Sequence, residues 1–464
     1  MKTSANQFLT IDCGTQSVRV LLFDLDGALI ASSRVAIEPY FAAQNGWAEQ
    51  DPEVYWDALC AACQALWSRP GVVRQQIAAV ALTTQRGTVV NLDANGNVLR
   101  PAIVWLDQRR TQDPPPVPRL VEIAATAVGA GRILRELREQ AECNWIAAHQ
   151  PEIWQRTDKF LLLSGFLVWR LTGRFVDSTG AQVGYLPFDF EQQEWSKPGD
   201  LRWKLLAVRR EQLPDLLAPG ETLGEITAAV SEATGIPQGL RLIAAAADKA
   251  CEVLGSGCID PSVGHVSYGT TATFNTSNTK YVEPTRRMPA YPSAVPGQWN
   301  SERQLYRGYW LVSWFKNEFA HNEVRLAREQ DVEPETLFDS LLEASQPGAM
   351  GLVVQPYWSS GARLPGPEAR GAAIGFGDVH SRADLYRAII EGICFALRES
   401  RDALEQRNKV PVQRLRVAGG GSNSDAVMQI TADIFGLPAE RPAVTEASGL
   451  GAAINAAVGT GHYP

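Results

Sequence analysis

A chain of 464 residues with 45% hydrophobic and 20% charged side chains carries enough apolar material for two cores of ordinary size, and its composition is that of a globular protein, neither disordered nor fibrous. A net charge of -8 without any long run of Lys or Arg argues against nucleic acid or an anionic membrane as partner, so any anion must be held locally. No stretch supplies the ~18 apolar residues of a membrane span, the N-terminus lacks a signal-like apolar segment, and seven scattered cysteines read as reduced thiols of a cytoplasmic chain.

Residues 8–12 form a strand-like run that turns at Cys13-Gly14-Thr15-Gln16 and resumes over 18–24, a hairpin pattern followed by an Asp26-Gly27 turn. Asp51 as N-cap and Pro52 at the first helical position open a helix predicted to end at Trp67. Cys60 and Cys63 fall inside it, and with no second pair or His cluster to complete a zinc site they read as packing residues. A second hairpin is expected from 77–83 through Val89-Val90 and Asn95-Gly96 to 102–105. Helix is predicted after the three prolines 114–116 towards Cys143, and again over 144–171, where Gly173 stops it.

An apolar run over 242–247 ends at Asp248, and 266–274 then repeats the opening pattern of strand, Gly-Thr turn, strand. Helices over 381–407, 424–435 and 449–458 alternate with short strands over 352–356 and 415–418, an α/β pattern with a largely buried sheet. Two similar lobes are therefore expected, 1–247 and 248–464.

The chain contains no Gly-Lys pair, which excludes the lysine-bearing phosphate loop, and Gly449-Leu450-Gly451-Ala452-Ala453-Ile454 lacks the last glycine of a dinucleotide fingerprint. The two Gly-Thr turns remain, able to surround phosphate oxygens with backbone N–H groups and hydroxyls. Asp12, just before the first turn, offers a hard oxygen suited to Mg²⁺. Taken alone the pattern is weak, because a strand ending in a polar turn occurs everywhere. Gly419-Gly420-Gly421 lets backbone lie flat against a ring or phosphate ahead of a helix N-terminus, and is equally a strand-to-helix turn with spare glycines.

Several segments together resemble the FGGY family of carbohydrate kinases over essentially the whole chain: Ile11 to Arg19, Gln85-Arg86-Gly87, Ala102 to Arg110, Leu171-Thr172-Gly173, Ala247-Asp248, Ser267 to Thr271, Gln355 to Gly371, Glu391 to Phe395, and Ala418 to Arg441. The resemblance implies two ribonuclease H-like lobes of the actin and hexokinase type with a cleft between them. It implies ATP and Mg²⁺ in that cleft and a small carbohydrate bound mainly by the first lobe, and it allows a homodimer. Asp248 then corresponds to the general base, and Asp12 and Asp248 to the Mg²⁺ carboxylates. Gly14, Thr15, Gln16 and Arg19 in one lobe, and Gly269, Thr270 and Thr271 in the other, correspond to ATP contacts. Gly419, Gly420, Gly421, Ser422 and Ser424 border the adenine, while Arg86, Gly87, Trp105, Asp107 and Lys249 join Asp248 at the sugar.

Each assignment has a plainer counterpart. These are Trp105 as a core aromatic, Asp107 as a surface salt-bridge partner, Arg86 as a turn residue and Asp248 as a helix N-cap; Trp310, Trp314 and Trp358 read as packing residues. Gly87 stands where glycerol kinases carry Glu, which speaks against glycerol, and Gln85 lies where xylulose kinases place Met-His after a Gln. Lys249 is unusual directly after the base; its ammonium could lower the pKa of Asp248 or pair with the carboxylate of a sugar acid, and the alanines at 244–247 replace glycines, narrowing the approach to the γ-phosphate. The expected acceptor is a ketopentose such as xylulose or ribulose. The alternatives are a polyol, a sugar acid, a catalytically impaired nucleotide sensor, or an actin-like ATPase.

Overall fold

The computed structural model describes residues 5–359, 366 and 368–464 and divides into two compact units. Part of the family-like stretch 355–371 lies outside the described residues. The first unit takes the chain as far as Gly255 and regains Tyr291–Gly297 and the tail from Ser448; the second holds Ser256–Ala290 and Gln298–Ala447.

In the first unit the chain forms β1 (Gln7–Cys13), β2 (Ser17–Phe23), β3 (Leu29–Ala36), α1 (Pro52–Trp67) and β4 (Ile77–Thr84). There follow β5 (Val89–Leu92), β6 (Ala102–Ile103), β7 (Lys159–Leu162), α2 (Leu163–Thr172), β8 (Thr222–Glu225), β9 (Arg241–Ala244) and α3 (Asp248–Gly255). The central sheet has the order β8-β9-β4-β1-β2-β3, with β1 parallel to β4, β4 parallel to β9, and the remaining neighbours antiparallel. Every residue of β1 is buried, as a strand covered on both faces requires.

α1 begins where its signals place it. The Asp51 carboxylate accepts the Glu53 N–H at 3.0 Å, and Pro52 occupies the first turn, where no intrahelical partner is needed. Tyr55, Ala58, Leu59, Ala62, Cys63 and Leu66 recur at helical spacing and form its buried stripe. Cys63 is thus a packing residue, and all seven cysteines are unbridged.

Two expected elements differ. The 77–105 segment is not one hairpin: β4 lies in the central sheet, while β5 pairs with β6 and β7 in a separate small sheet that also holds Glu49–Gln50. The 144–171 segment is broken by β7, because Phe160, Leu161 and Leu162 are a short buried apolar run whose periodicity cannot tell strand from helix. The helix opened by Asp248 belongs to the first unit, which therefore continues past 247; Cys251, Val253 and Leu254 bury it there.

The second unit forms β10 (Val263–Tyr268), β11 (Ala272–Asn278), β12 (Trp299–Leu305), α4 (Arg382–Asn408), β13 (Arg414–Gly419), α5 (Asp425–Phe435) and β14 (Ala439–Glu440). Its sheet repeats the plan of the first. β11 pairs antiparallel with β10 and β12, and β10 runs parallel to β13, which runs parallel to β14. Trp310, Trp314 and Trp358 are partly buried against this unit's core, in keeping with packing roles. Among the described residues no helix is long and apolar enough to cross a membrane.

The cap offers a direct check of α1. Asp51→Ala should lower stability by about 1 kcal/mol, read as a fall in the urea midpoint at unchanged m-value.

Candidate active site

Parallel pairing sends successive strands out of the sheet at the same edge, and three motifs leave there in the first unit. Cys13 stands opposite Thr84, and Ala244 opposite Leu82. The Gly14-Thr15-Gln16 turn after β1, Gln85-Arg86-Gly87 after β4, and Asp248 after β9 therefore gather at the carboxyl ends of neighbouring strands, where open α/β sheets bind ligands. Asp12 faces Arg19 across the hairpin and Thr83 across β4. The Arg19 guanidinium lies 2.8 Å from the Asp12 carboxylate, which is almost wholly buried.

A hydrogen-bonded relay fixes the first turn. The Trp105 indole N–H donates to the Thr15 hydroxyl at 3.0 Å, Thr15 donates to Gln85 Oε1 at 2.7 Å, and Gln85 Nε2 donates to the Tyr55 hydroxyl at 2.9 Å. The Thr15 hydroxyl thus has its donor and one lone pair in use inside the protein. Trp105 is 40% exposed, so it is no core aromatic; its N–H is anchored while part of the ring faces outwards. Gly87, at φ +65°, lies beneath it, and a Cβ there would come 3.4 Å from Trp105 Cβ. The Arg86 guanidinium stands over the Tyr291 ring at 5.2 Å from its centre. Gln16 is exposed.

Asp107 is drawn inwards. Its Oδ1 accepts from the Arg109 backbone N–H and from Arg109 Nε, both at 2.8 Å, and its Oδ2 accepts from Arg109 Nη2 at 2.8 Å and from the Ala48 N–H at 2.6 Å. Arg109 also lies 3.0 Å from Glu49, and its guanidinium is flanked by Trp47 and Trp145 at 4.0 and 4.5 Å from the ring centres. Nearby Glu142 is pushed up to about 7 by burial, with the Asp107 charge adding to the rise. A sugar hydroxyl would have to share a carboxylate oxygen with this network. The arrangement instead locks the backbone that carries Trp105.

Asp248 is half-buried at the start of α3, and its Oδ1 accepts its neighbour's N–H, that of Lys249, at 2.7 Å. Burial raises its pKa above the usual carboxylate range, while the charges of Arg86 and Lys249 pull the other way. The Lys249 ammonium is paired with Glu252 one turn on. The alanines at 245–247 are each 2% exposed, so they pack into the protein rather than crowd an entrance.

In the second unit the Gly269-Thr270-Thr271 turn follows β10, and register places Gly419, the last residue of β13, opposite Tyr268. Both loops leave one edge of that sheet. Gly419 has φ +82°, and a Cβ would lie 2.6 Å from the Tyr268 carbonyl oxygen, so no other residue fits. Gly419 and Gly420 are exposed, whereas Gly421 and Ser422 are buried. The Ser422 hydroxyl donates to Gly419 O at 2.8 Å, and Ser424 caps α5 by accepting the Val427 N–H at 3.0 Å.

For a divalent cation the donor chemistry fits. Mg²⁺ takes one or two protein carboxylates and completes its shell with phosphate and water, and Asp12 and Asp248 supply hard oxygens at one sheet edge. Sequence reasoning missed Gln85 as the relay's centre, Tyr55 beneath it, the Arg109 cluster, and Tyr291. Tyr55 left a faint signal, a hydroxyl on an otherwise apolar stripe; Tyr291 left none, since it returns from far along the chain.

The model of the N-terminal domain of the FGGY family of carbohydrate kinases matches residues 7–255, and that of its C-terminal domain matches 264–460. The chain is 30% identical to the uncharacterized sugar kinase YgcE of Escherichia coli over 99% of its own length and 86% of that protein. It is 29% identical to a xylulose kinase of Lactococcus lactis over 98% of its length and 88% of the relative. The solved glycerol kinase of Plasmodium falciparum with ADP superposes with a TM-score of 0.80 at 22% identity, covering 99% of this chain and 91% of that one, a likeness of fold.

The position of Asp107 predicts a stability effect. Asp107→Ala leaves Arg109 with Glu49 alone and should cost about 3 kcal/mol in urea unfolding. Unchanged stability with a raised KM for the acceptor would make Asp107 a substrate ligand instead.

Proposed function

Since the chain belongs to the FGGY family of carbohydrate kinases, we propose that it transfers the γ-phosphoryl group of ATP to a hydroxyl of a ketopentose such as xylulose or ribulose, with Asp248 as general base. The observation that carries this reading is the meeting of Asp12, the Gly-Thr turn, Arg86 and Asp248 at one edge of the first unit's sheet. Phosphoryl transfer asks little covalent chemistry of a protein. What it needs is an acceptor oxygen held in line and charge compensation around the phosphates.

In this reading the Asp248 carboxylate accepts the proton of the attacking hydroxyl. Its raised pKa suits the task, because a stronger base takes the proton more readily. Arg86 compensates that carboxylate and borders the acceptor. The half-exposed Trp105 ring offers an apolar face to sugar C–H groups, and Gly87 leaves room beside it. Asp12 and Asp248 would hold Mg²⁺, which when bound neutralises charge on the phosphates. In the second unit, Gly269, Thr270 and Thr271 are assigned to the phosphates, and Gly419 to Gly421 with Ser422 and Ser424 to the adenine.

The pairing of Lys249 with Glu252 favours a neutral acceptor over a sugar acid, since a substrate carboxylate would compete with an ion pair already made. A coupled ADP-release assay across ketoses, polyols and sugar acids tests the choice. Turnover of acids above all neutral ketoses would reverse it.

Two further outcomes follow. Asp248→Asn should lower kcat by on the order of 10²–10⁴-fold while ATP binding persists, and a retained rate removes Asp248 as base. The rate falls as pH drops through the Asp248 pKa, because the base is lost on protonation. Arg86→Met removes a charge that lowers that pKa, so the acid limb of kcat/KM should move to higher pH; a shift to lower pH contradicts the assignment.

A further inference from the structure

The backbone before Asp248 is gripped from behind by a turn that belongs to none of the motifs above. The short strand Val176–Ser178 runs into a single helical turn, Thr179–Ala181. Asp177 and Gln182 flank that turn, and each is only 1% exposed. Asp177 Oδ2 accepts from the Ser164 hydroxyl at 2.7 Å and from Gln182 Nε2 at 2.8 Å, while Oδ1 accepts the Ser178 N–H at 2.8 Å. Gln182 Nε2 also donates to the Ser178 carbonyl at 3.0 Å, so one carboxylate and one amide close the turn from both ends.

The closed turn touches the strand that leads to Asp248. The Ala247 N–H donates to the Gly180 carbonyl at 3.1 Å. A Cβ on Gly180 would lie 2.7 Å from the Ala246 Cβ, so only a glycine lets the two backbones meet this closely. From the other side the Thr83 hydroxyl donates to the Ala246 carbonyl at 2.8 Å. The peptide joining Ala246 to Ala247, one residue before Asp248, is thus held at both its carbonyl and its N–H. Asp177 has only neutral donors around it, and burial pushes its pKa up to about 6, so at neutral pH it is a carboxylate making charge-assisted hydrogen bonds.

We propose that Asp177 and Gln182 are positioning residues for phosphoryl transfer, setting the direction of the Asp248 carboxylate through the Gly180 carbonyl and the Ala247 peptide. The inference rests on the reading of Asp248 as base. Neither side chain touches substrate in this scheme; a displacement of the base by about 1 Å is what their loss would cause, and displacements of that size cost on the order of 10²-fold in rate.

The test is steady-state ADP release by the full-length enzyme with the neutral ketose that it turns over fastest, comparing wild type with Gln182→Met, Asp177→Asn and Asp248→Asn. Gln182→Met keeps the side-chain length and removes both donated bonds. The expected result is a fall in kcat of about 10- to 100-fold with KM for ATP and for the ketose within about twofold of wild type and unfolding still cooperative. Wild-type kcat in Gln182→Met and Asp177→Asn, with Asp248→Asn inactive, overturns the positioning role and leaves the base intact. Wild-type kcat in Asp248→Asn overturns the base itself. A raised KM at unchanged kcat also overturns the proposal. If Gln182→Met does not fold, Asp177→Asn, which is isosteric and can keep the Ser178 N–H bond, decides by the same criteria.

Discussion

In the first unit β1, β4 and β9 run parallel, so whatever follows their carboxyl ends must leave the sheet at one edge. This constraint gives three segments, spread over more than two hundred residues of sequence, a common neighbourhood. The second unit repeats the arrangement with β10 and β13, whose following loops both carry glycine.

Four acidic side chains near that edge are sorted by their surroundings. Asp12 has Arg19 beside it, and Asp107 is held at both oxygens by Arg109 and backbone. Asp177 is surrounded by neutral donors, whereas Asp248 is half-buried with positive charges nearby that only partly offset its desolvation. A carboxylate with two saturated oxygens holds structure. The proposed base needs a carboxylate whose pKa burial raises despite nearby positive charge, and Asp248 has that setting.

Much of this was legible in the sequence because it is local. The Asp51-Pro52 start of α1, its Trp67 end and the two Gly-Thr hairpins are written in neighbouring residues, and the structure has them where turn and cap chemistry put them. Where long-range packing decides, neighbouring residues mislead. Along the chain β4 and β5 flank one turn and read as a hairpin, yet β4 is held between β1 and β9. Asp107 reads as a sugar ligand or a salt-bridge partner; its pair with Arg109 answers to the second, and only the fold adds Ala48 and Glu49 to the cluster. Trp105 lies between these cases, since its spacing to Asp107 is visible while its bond to Thr15 requires the hairpin and the small sheet to meet.

The alanines before Asp248 show how a local departure can be absorbed non-locally. Read along the chain, methyl groups in place of glycines at 244–247 crowd the approach to a phosphate. In the fold they point elsewhere, and Ala246 meets Gly180, a residue some sixty-five positions earlier. The space at that contact admits a single Cβ. With the methyl on the strand, the turn must be glycine; the backbones then approach closely enough for the Ala247 N–H to reach the Gly180 carbonyl. The same substitution that looks like obstruction from the solvent side therefore serves as a spacer from the core side. It ties the height of the Asp248 strand to the turn that Asp177 and Gln182 hold shut.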